Sequence, residues 1–145
     1  MKRIVRTRRR DSKGTVILEA ALIFLVFAMM MIGIFDFGQF LFTHQALVER
    51  ARYAARWGAI NDPTDSSSIV NMVLYNQSTT PSAGTPGYFN LSSSNVSVSN
   101  QGSGTNNYRL SVQISGYTYT ILSPYIAGSY TGLPITVSVP LGIFD

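Results

Sequence analysis

Gly14-Thr15-Val16-Ile17-Leu18-Glu19 ends a basic N-terminal segment and begins a long apolar one. Seven of the eleven Lys and Arg residues precede Gly14, which predicts a cytoplasmic N-terminus by the positive-inside rule. Residues 16–35 are apolar apart from Glu19, and twenty helical residues at about 1.5 Å each cross a hydrocarbon core of roughly 30 Å. The sequence therefore predicts a single-pass membrane helix with the rest of the chain extracytoplasmic.

Two simpler interpretations of this N-terminus are less consistent with the residues. A secretory signal peptide has a shorter apolar core followed by a small-x-small cleavage site, whereas this run ends in Ile34-Phe35-Asp36-Phe37. A plain uncleaved anchor leaves Glu19 unexplained, because a carboxylate within the apolar run costs on the order of 2.5–3.5 kcal/mol. Glu19 therefore needs either a partner for its charge or a position at the hydrated boundary of the membrane.

The stretch from Gly14 to Ala59 resembles a known family. Gly14 followed by four residues and Glu19, after a basic leader, is similar to the site that prepilin peptidases cut in type IV pilins and pseudopilins. Together with segments 33–39, 45–47 and 51–59, it resembles the TadE-like minor pseudopilins of tight-adherence pilus systems. The resemblance implies cleavage after Gly14, a mature amino terminus at Thr15, and assembly contacts through Glu19, Asp36, Arg52 and Arg56.

The resemblance also implies the partners and the location of the chain. The partners are a prepilin peptidase, other pilin and pseudopilin subunits, an inner-membrane pilus platform that acts together with a cytoplasmic ATPase, and membrane lipid. The location is the cytoplasmic (inner) membrane, with an extracytoplasmic head. Asp36 is expected either at the outer interface of the membrane, with no further role, or in a contact with other subunits.

Charge and composition argue against nucleic-acid binding and against catalysis. Residues 1–14 hold seven positive charges and one negative charge, so residues 15–145 hold four basic and six acidic side chains, a net charge of −2. Because the basic segment directly precedes a membrane span, a role in orienting the helix and in contacting anionic lipid is favoured over binding to nucleic acid. Arg109 is the one Lys, Arg, Asp or Glu between residues 66 and 144. We therefore expect no catalytic residue, no metal and no cofactor.

The chain divides into a leader at 1–14, a transmembrane and stalk helix at 15–60 and a head at 61–145. Pro is absent from 15 to 59, and Asn61-Asp62-Pro63 ends the helix. One face of its outer half carries progressively smaller residues and packs either on the chain's own sheet or on another subunit. His44 lies on this helix and is expected to be a polar surface residue, and Glu49 and Arg52 are expected to form a solvated pair.

The head is predicted to be an α+β unit with three or four antiparallel strands, which gives a pilin-like lollipop. A short helix over 66–77 begins at an Asp65/Ser66 cap, and a loop rich in Pro and Gly covers 78–91. Alternating apolar residues predict strands near Val96, Leu110, Tyr117 and Ile135. The apolar phase shifts at Gly116, which favours one long bulged strand over a tight hairpin.

Two functions from different classes remain at this point. The first is a minor pseudopilin that primes or caps a tight-adherence pilus. The second is a membrane-anchored adhesin or binding module whose uncharged head, rich in Ser, Thr and Tyr, contacts a substrate. Cleavage of the leader separates the two.

Overall fold

The computed structural model describes residues 12–123 and 128–141 as a long helix with a small α+β head at its C-terminal half. Helix α1 runs from Ser12 to Ile60, and its 49 residues extend about 73 Å at 1.5 Å per residue. This confirms the predicted α+β lollipop. Residues 1–11, which form most of the predicted leader, lie outside the described residues.

The membrane-spanning prediction has a direct counterpart in α1. Within the described residues, one helix is long and apolar enough to cross a membrane, and no residue of its most apolar window is buried. An apolar window without buried residues is unlike the core helix of a soluble protein. The helix therefore indicates single-pass membrane anchoring.

Helix α2, from Ser66 to Tyr75, follows a short turn and confirms the predicted second helix. Its N-cap is Asp65, whose carboxylate accepts hydrogen bonds from the Ser68 N–H at 3.1 Å and from the Ser67 hydroxyl at 2.7 Å. These bonds lower the pKa of Asp65 to about 2. The cap places the apolar residues of α2 against α1, where Ile69 and Val73 are fully buried.

Over residues 61–123 and 128–141, the head contains five strands in two antiparallel sheets, together with short 3-10 turns at Tyr88–Asn90 and Ser93–Asn95. The larger sheet has the order β1-β2-β5, and the smaller sheet pairs β3 with β4. Val98 lies opposite Val112, and Val112 lies opposite Val137 in the larger sheet. The strands are β1 (Val96–Gln101), β2 (Arg109–Ile114), β3 (Thr118–Ile121), β4 (Gly128–Thr131) and β5 (Ile135–Pro140).

The core lies between α1, α2 and the inner face of the larger sheet. On α1 it is formed by small residues, because Ala51, Ala54 and Ala55 are fully buried and allow the sheet to approach closely. The stalk face that was predicted to pack either on the chain's own head or on a neighbour therefore packs on its own head. The fully buried side chains that complete the core are Leu47, Ile69, Val73, Leu110, Val112 and Ile114.

The prediction of one long bulged strand across Gly116 is wrong. Gly116 has a φ of +68°, in the left-handed region that favours glycine, and the chain turns away from the larger sheet at this residue. The turn is held by Asn95, whose carbonyl accepts the Ser115 N–H at 2.8 Å and whose side-chain amide donates to the Ser115 carbonyl at 3.0 Å. The alternative of a tight hairpin is also wrong, since β3 pairs with β4 and leaves β2 to pair with β1 and β5.

Candidate functional site

The N-terminal half of α1 presents apolar side chains on all sides. Large apolar residues from Val16 to Phe42 are mostly exposed, with Leu18 at 72% and Phe24 at 71%. A helix that is apolar all around is stable when it is surrounded by lipid or by other apolar helices. This surface is the candidate site for membrane insertion and for packing with other subunits.

Gly14, Thr15 and Glu19 lie in the first turns of this helix and are exposed. Thr15 and Glu19 are four residues apart, which places them on one face about 6 Å apart along the axis. A carboxylate at this position can pair with a positive group near residue 15 of its own chain or of an adjacent helix. The helix therefore places the residue after Gly14 and the Glu19 carboxylate on the same face.

Asp36 connects the stalk to the head. Its Oδ1 accepts the backbone N–H of Leu122 at 2.7 Å, and its Oδ2 accepts the backbone N–H of Ser123 at 3.0 Å. These two donors follow β3 directly, where the strand pairing with β4 has ended. The carboxylate therefore fixes the end of β3 to α1, a contact within the chain that the sequence pattern did not predict.

Two further contacts join α1 to β3 and to the residue that precedes it, and both lie C-terminal to Asp36 on α1. The Phe40 and Tyr119 rings are 5.0 Å apart at their centroids, and the Tyr117 hydroxyl lies 3.0 Å from Nδ1 of His44. The expectation of His44 as a polar surface residue is wrong, because the Tyr117 phenol from the head partly covers the imidazole. The strand β3 thus runs antiparallel to α1 and descends toward Asp36.

The opposite face of the outer stalk stays uncovered. Glu49 and Arg52 form an exposed ion pair with 2.9 Å between Nη1 and Oε1, as predicted for a solvated pair. Arg56 lies one turn beyond Arg52 and is also exposed. The two guanidinium groups are therefore accessible to a second molecule on a face that the head does not cover.

The predicted contact residues do not form one compact site. Glu19 and Asp36 are seventeen residues apart, about 25 Å along the helix axis, and Arg56 lies a further 30 Å or so beyond Asp36. A partner that touches all of them must be elongated and lie alongside α1. A parallel helix of similar length has this shape, whereas a small ligand does not.

The loop at 78–91 adds an aromatic contact to the stalk that was not predicted. The guanidinium of Arg50 lies 4.3 Å from the centroid of the Tyr88 ring, and Phe89 packs edge-on against Phe42 with 6.2 Å between centroids. Phe89 has a positive φ of 50°, a strained conformation for a bulky residue. The only signal in the sequence was the turn-forming composition around the loop.

The described residues offer little for catalysis or metal binding. In residues 12–123 and 128–141, no three His, Cys, Asp or Glu side chains are close enough together to hold a metal ion. An open cleft of about 350 Å³ between Arg50, Tyr75 and the loop at 81–88 contains no carboxylate or imidazole. The arrangement is suited to packing contacts between surfaces.

Comparison with known families agrees with this geometry. The model of the family described as TadE-like protein matches residues 14–56, which begin at Gly14 and include Glu19, Asp36, Arg52 and Arg56. No curated protein and no solved structure matches the chain. The resemblance to TadE-like proteins is therefore confirmed over the span and most of the stalk, and the head lies outside the matched region.

Proposed function

We propose that this chain, whose residues 14–56 match the TadE-like family, is a minor pseudopilin that primes or caps a tight-adherence pilus. The observation that carries the proposal is that the matched residues are a continuous helix whose membrane half is exposed and against whose outer half the described part of the head packs. Such a helix can insert between the helices of a filament without rearrangement of the head. Tight-adherence pilus components are the partners that the family match favours.

The first step in the proposed function is cleavage of the leader. A prepilin peptidase cuts after Gly14, which removes residues 1–14 and creates a new amino terminus at Thr15. The product comprises the transmembrane and stalk helix at 15–60 and the head at 61–145. It is held in the cytoplasmic membrane with the head outside, and its net charge is −2.

Glu19 then contributes to docking. A carboxylate within the span is costly alone, by up to the roughly 2.5–3.5 kcal/mol that insertion scales give for the centre of a helix, and a nearby ammonium group offsets that cost. The amine at Thr15, on the same chain or on a neighbouring subunit, is such a group, one helical turn away. Subunits that place the two groups together are favoured in the membrane, where the inner-membrane platform and the cytoplasmic ATPase can move them into the pilus.

Processing is the decisive test, because the alternative function as a membrane-anchored adhesin does not need it. Intact-mass measurement of the membrane-extracted protein, in cells with an active prepilin peptidase, should give a chain that starts at Thr15. Gly14→Val should leave the precursor uncut, while Gly33→Val, at another open glycine of the same helix, should be processed normally. A wild-type chain that keeps residues 2–13 would remove the pseudopilin assignment.

Glu19 can be tested separately from processing. Glu19→Ala removes a costly group from the span, so we expect normal insertion and a sharp loss of pili. Asp62→Ala, at an exposed acidic residue beyond the end of α1, is the control for loss of one negative charge and should leave insertion and pilus number unchanged. Pili at wild-type number in Glu19→Ala would show that the carboxylate has no docking role.

A further inference from the structure

The level of the head relative to the membrane follows from the contacts of β3. The apolar run of α1 ends at Phe35, and the next residue, Asp36, holds the backbone of Leu122 and Ser123. Since residues 16–35 as a helix match the thickness of the hydrocarbon core, Asp36 lies at the outer interface of the membrane. Leu122 is consequently held at the same level, about 86 residues later in the chain.

The surface at this level is apolar and continuous with the lipid-facing surface of α1. Phe37 is 62% exposed and Leu122 is 68% exposed, and Ile121 is half-buried beside them. We call these three residues the interfacial patch. A groove of about 290 Å³ between α1 and β3 runs into the patch and is lined by Asp36, Phe37, Phe40, Tyr119 and Ile121.

The residues around the interfacial patch have the composition that membrane interfaces favour. Tyr119 on β3 pairs with Tyr130 on β4 in the antiparallel register, and their rings stack with 6.1 Å between centroids. Tyrosine is enriched at the boundary between hydrocarbon and water, where the ring and the hydroxyl each find a suitable environment. No Asp, Glu, Lys, Arg or His occurs between residues 110 and 144, so the head itself brings no charged side chain to this edge.

We propose that the interfacial patch lies in the outer leaflet of the membrane, so that the head rests directly on lipid through the β3 end of its smaller sheet. The acyl chains next to the headgroups are the occupant of the patch and of the groove beside Phe37. Asp36 sets the depth, because it holds the end of β3 at the boundary without a charged partner from the head. This placement requires only that α1 crosses the membrane, so it is independent of leader cleavage and of pilus assembly.

The absence of cysteine from the chain allows a direct test with single labelled cysteines. Leu122→Cys reports on the interfacial patch without disturbing the contact with Asp36, because the Leu122 side chain is exposed and only its backbone N–H is bonded. Leu25→Cys, near the middle of the span and half-exposed on the helix surface, is the reference for a probe deep in lipid. Ser103→Cys, in the turn between β1 and β2, is the reference for a probe in water.

The full-length chain with each cysteine carrying an NBD fluorophore is inserted into vesicles of phosphatidylcholine and phosphatidylglycerol. Lipids with a nitroxide at the headgroup or at carbon twelve of an acyl chain are then included as quenchers. We expect the Leu122 probe to be quenched several-fold more strongly than the Ser103 probe, and more strongly by the headgroup nitroxide than by the deep one. The Leu25 probe should show the opposite depth preference.

Two results would overturn the proposal. The first is a Leu122 probe with the red-shifted emission and weak quenching of the Ser103 probe, which would place the patch in water. The second is a blue-shifted Leu122 probe that nitroxide lipids do not quench and that transfers energy to an acceptor on a second copy of the chain. That result would make the patch a contact between subunits.

Discussion

The hydroxyl of Tyr117 and Nδ1 of His44 are 3.0 Å apart, and this hydrogen bond joins the start of the smaller sheet to the stalk across 73 residues of sequence. Tyr117 is only 3% exposed, and this burial raises the pKa of its phenol, with a further contribution from Tyr119. Of the contacts that α1 makes with this segment through Asp36, Phe40 and His44, this one is nearest the C-terminal end of α1. Removal of the Tyr117 hydroxyl should therefore loosen the smaller sheet and leave the larger sheet intact.

Tyr117→Phe should lower the free energy of unfolding by about 0.5–1.5 kcal/mol, because one partly buried hydrogen bond is lost while the ring stays packed. Urea unfolding in detergent, followed by fluorescence of Trp57, measures the change. Above pH 10.0, the ordinary pKa of tyrosine, the unfolded chain binds fewer protons at Tyr117 than the folded chain, so wild-type stability falls as pH rises. Tyr117→Phe should flatten that fall, and an identical alkaline slope in both proteins would contradict the assignment.

The stalk and the head approach each other closely at Gly58, and Gly58→Ala should destabilise the fold. A Cβ at this position would lie 2.6 Å from Cδ1 of Ile69 and 2.9 Å from Cδ2 of Leu110, and both of these side chains are fully buried. Overpacking of a core costs about 1–3 kcal/mol, and the better helix propensity of alanine returns about 0.5–1 kcal/mol. The balance is a net loss of up to about 2.5 kcal/mol.

The matched control for this change is Gly38→Ala in the same helix. Nothing lies within 4 Å of a Cβ at Gly38, so alanine there brings only its helix propensity. The midpoint of unfolding by urea should fall for Gly58→Ala and should stay unchanged or rise for Gly38→Ala. Equal midpoints for the two variants would mean that the core around Ile69 adjusts without cost.

The larger sheet and both helices could be predicted because their residues carry periodic patterns. Leu110, Val112 and Ile114 alternate with polar residues, and all three are buried against α1 in the structure. The strand β4 was missed because Gly128–Thr131 contains a single large side chain and all four residues are exposed. An exposed strand buries too little apolar surface to show an alternating pattern.

The course of β3 was mispredicted for a different reason. The phase shift at Gly116 was visible in the sequence, but it cannot tell a bulge in one sheet from a departure into another. The departure is decided by the Asn95 side chain, which holds the Ser115 carbonyl from twenty residues away. Distant hydrogen bonds of this kind leave no trace in the local pattern of apolar residues.

The candidate site shows the same limit. Gly14, Glu19, Arg52 and Arg56 were proposed through the resemblance to a family, and their roles stay predictions. The contact of Asp36 with the head could not be predicted, because both partners are backbone N–H groups, which every residue except proline carries. A role that depends on backbone donors requires the structure.

Arg56→Ala should weaken assembly with other subunits and leave the folding of the chain unchanged. The side chain is exposed on the face that the head does not cover, and surface charges of this kind contribute at most about 1 kcal/mol to stability. Chemical crosslinking to partner pilins in the membrane should decrease, with unfolding followed by Trp57 as the test of folding. Arg52→Ala should also decrease crosslinking. It should leave folding unchanged, because the ion pair of Arg52 with Glu49 is solvent-exposed and contributes little to stability.

Arg109→Ala is the control for loss of one exposed positive charge elsewhere. Arg109 begins β2 in the head, outside the region that matches the TadE-like family. It should leave crosslinking at the wild-type level. If Arg56→Ala and Arg109→Ala reduce crosslinking equally, the effect comes from net charge, and Arg56 has no specific contact with a neighbour.

Asp36 has two proposed roles, and the Ala and Asn variants separate them. As the attachment point of β3, it uses both carboxylate oxygens, one for the Leu122 N–H and one for the Ser123 N–H. Asp36→Ala removes both acceptors, whereas Asp36→Asn keeps one side-chain oxygen that can still accept. Hydrogen exchange of peptides covering 117–123 should therefore be fastest in Asp36→Ala, intermediate in Asp36→Asn and slowest in the wild type, with no change over 109–114.

A contact with another subunit through the charge of Asp36 gives a different pattern. Both variants remove the negative charge, so both should reduce crosslinking to partner pilins by the same amount, at unchanged protein level and unchanged processing at Thr15. An intermediate value for Asp36→Asn in crosslinking as well as in exchange would mean that the subunit contact depends on the position of β3. Wild-type exchange over 117–123 in Asp36→Ala would show that the carboxylate does not hold the strand, and wild-type crosslinking in both variants would exclude a role of its charge in assembly.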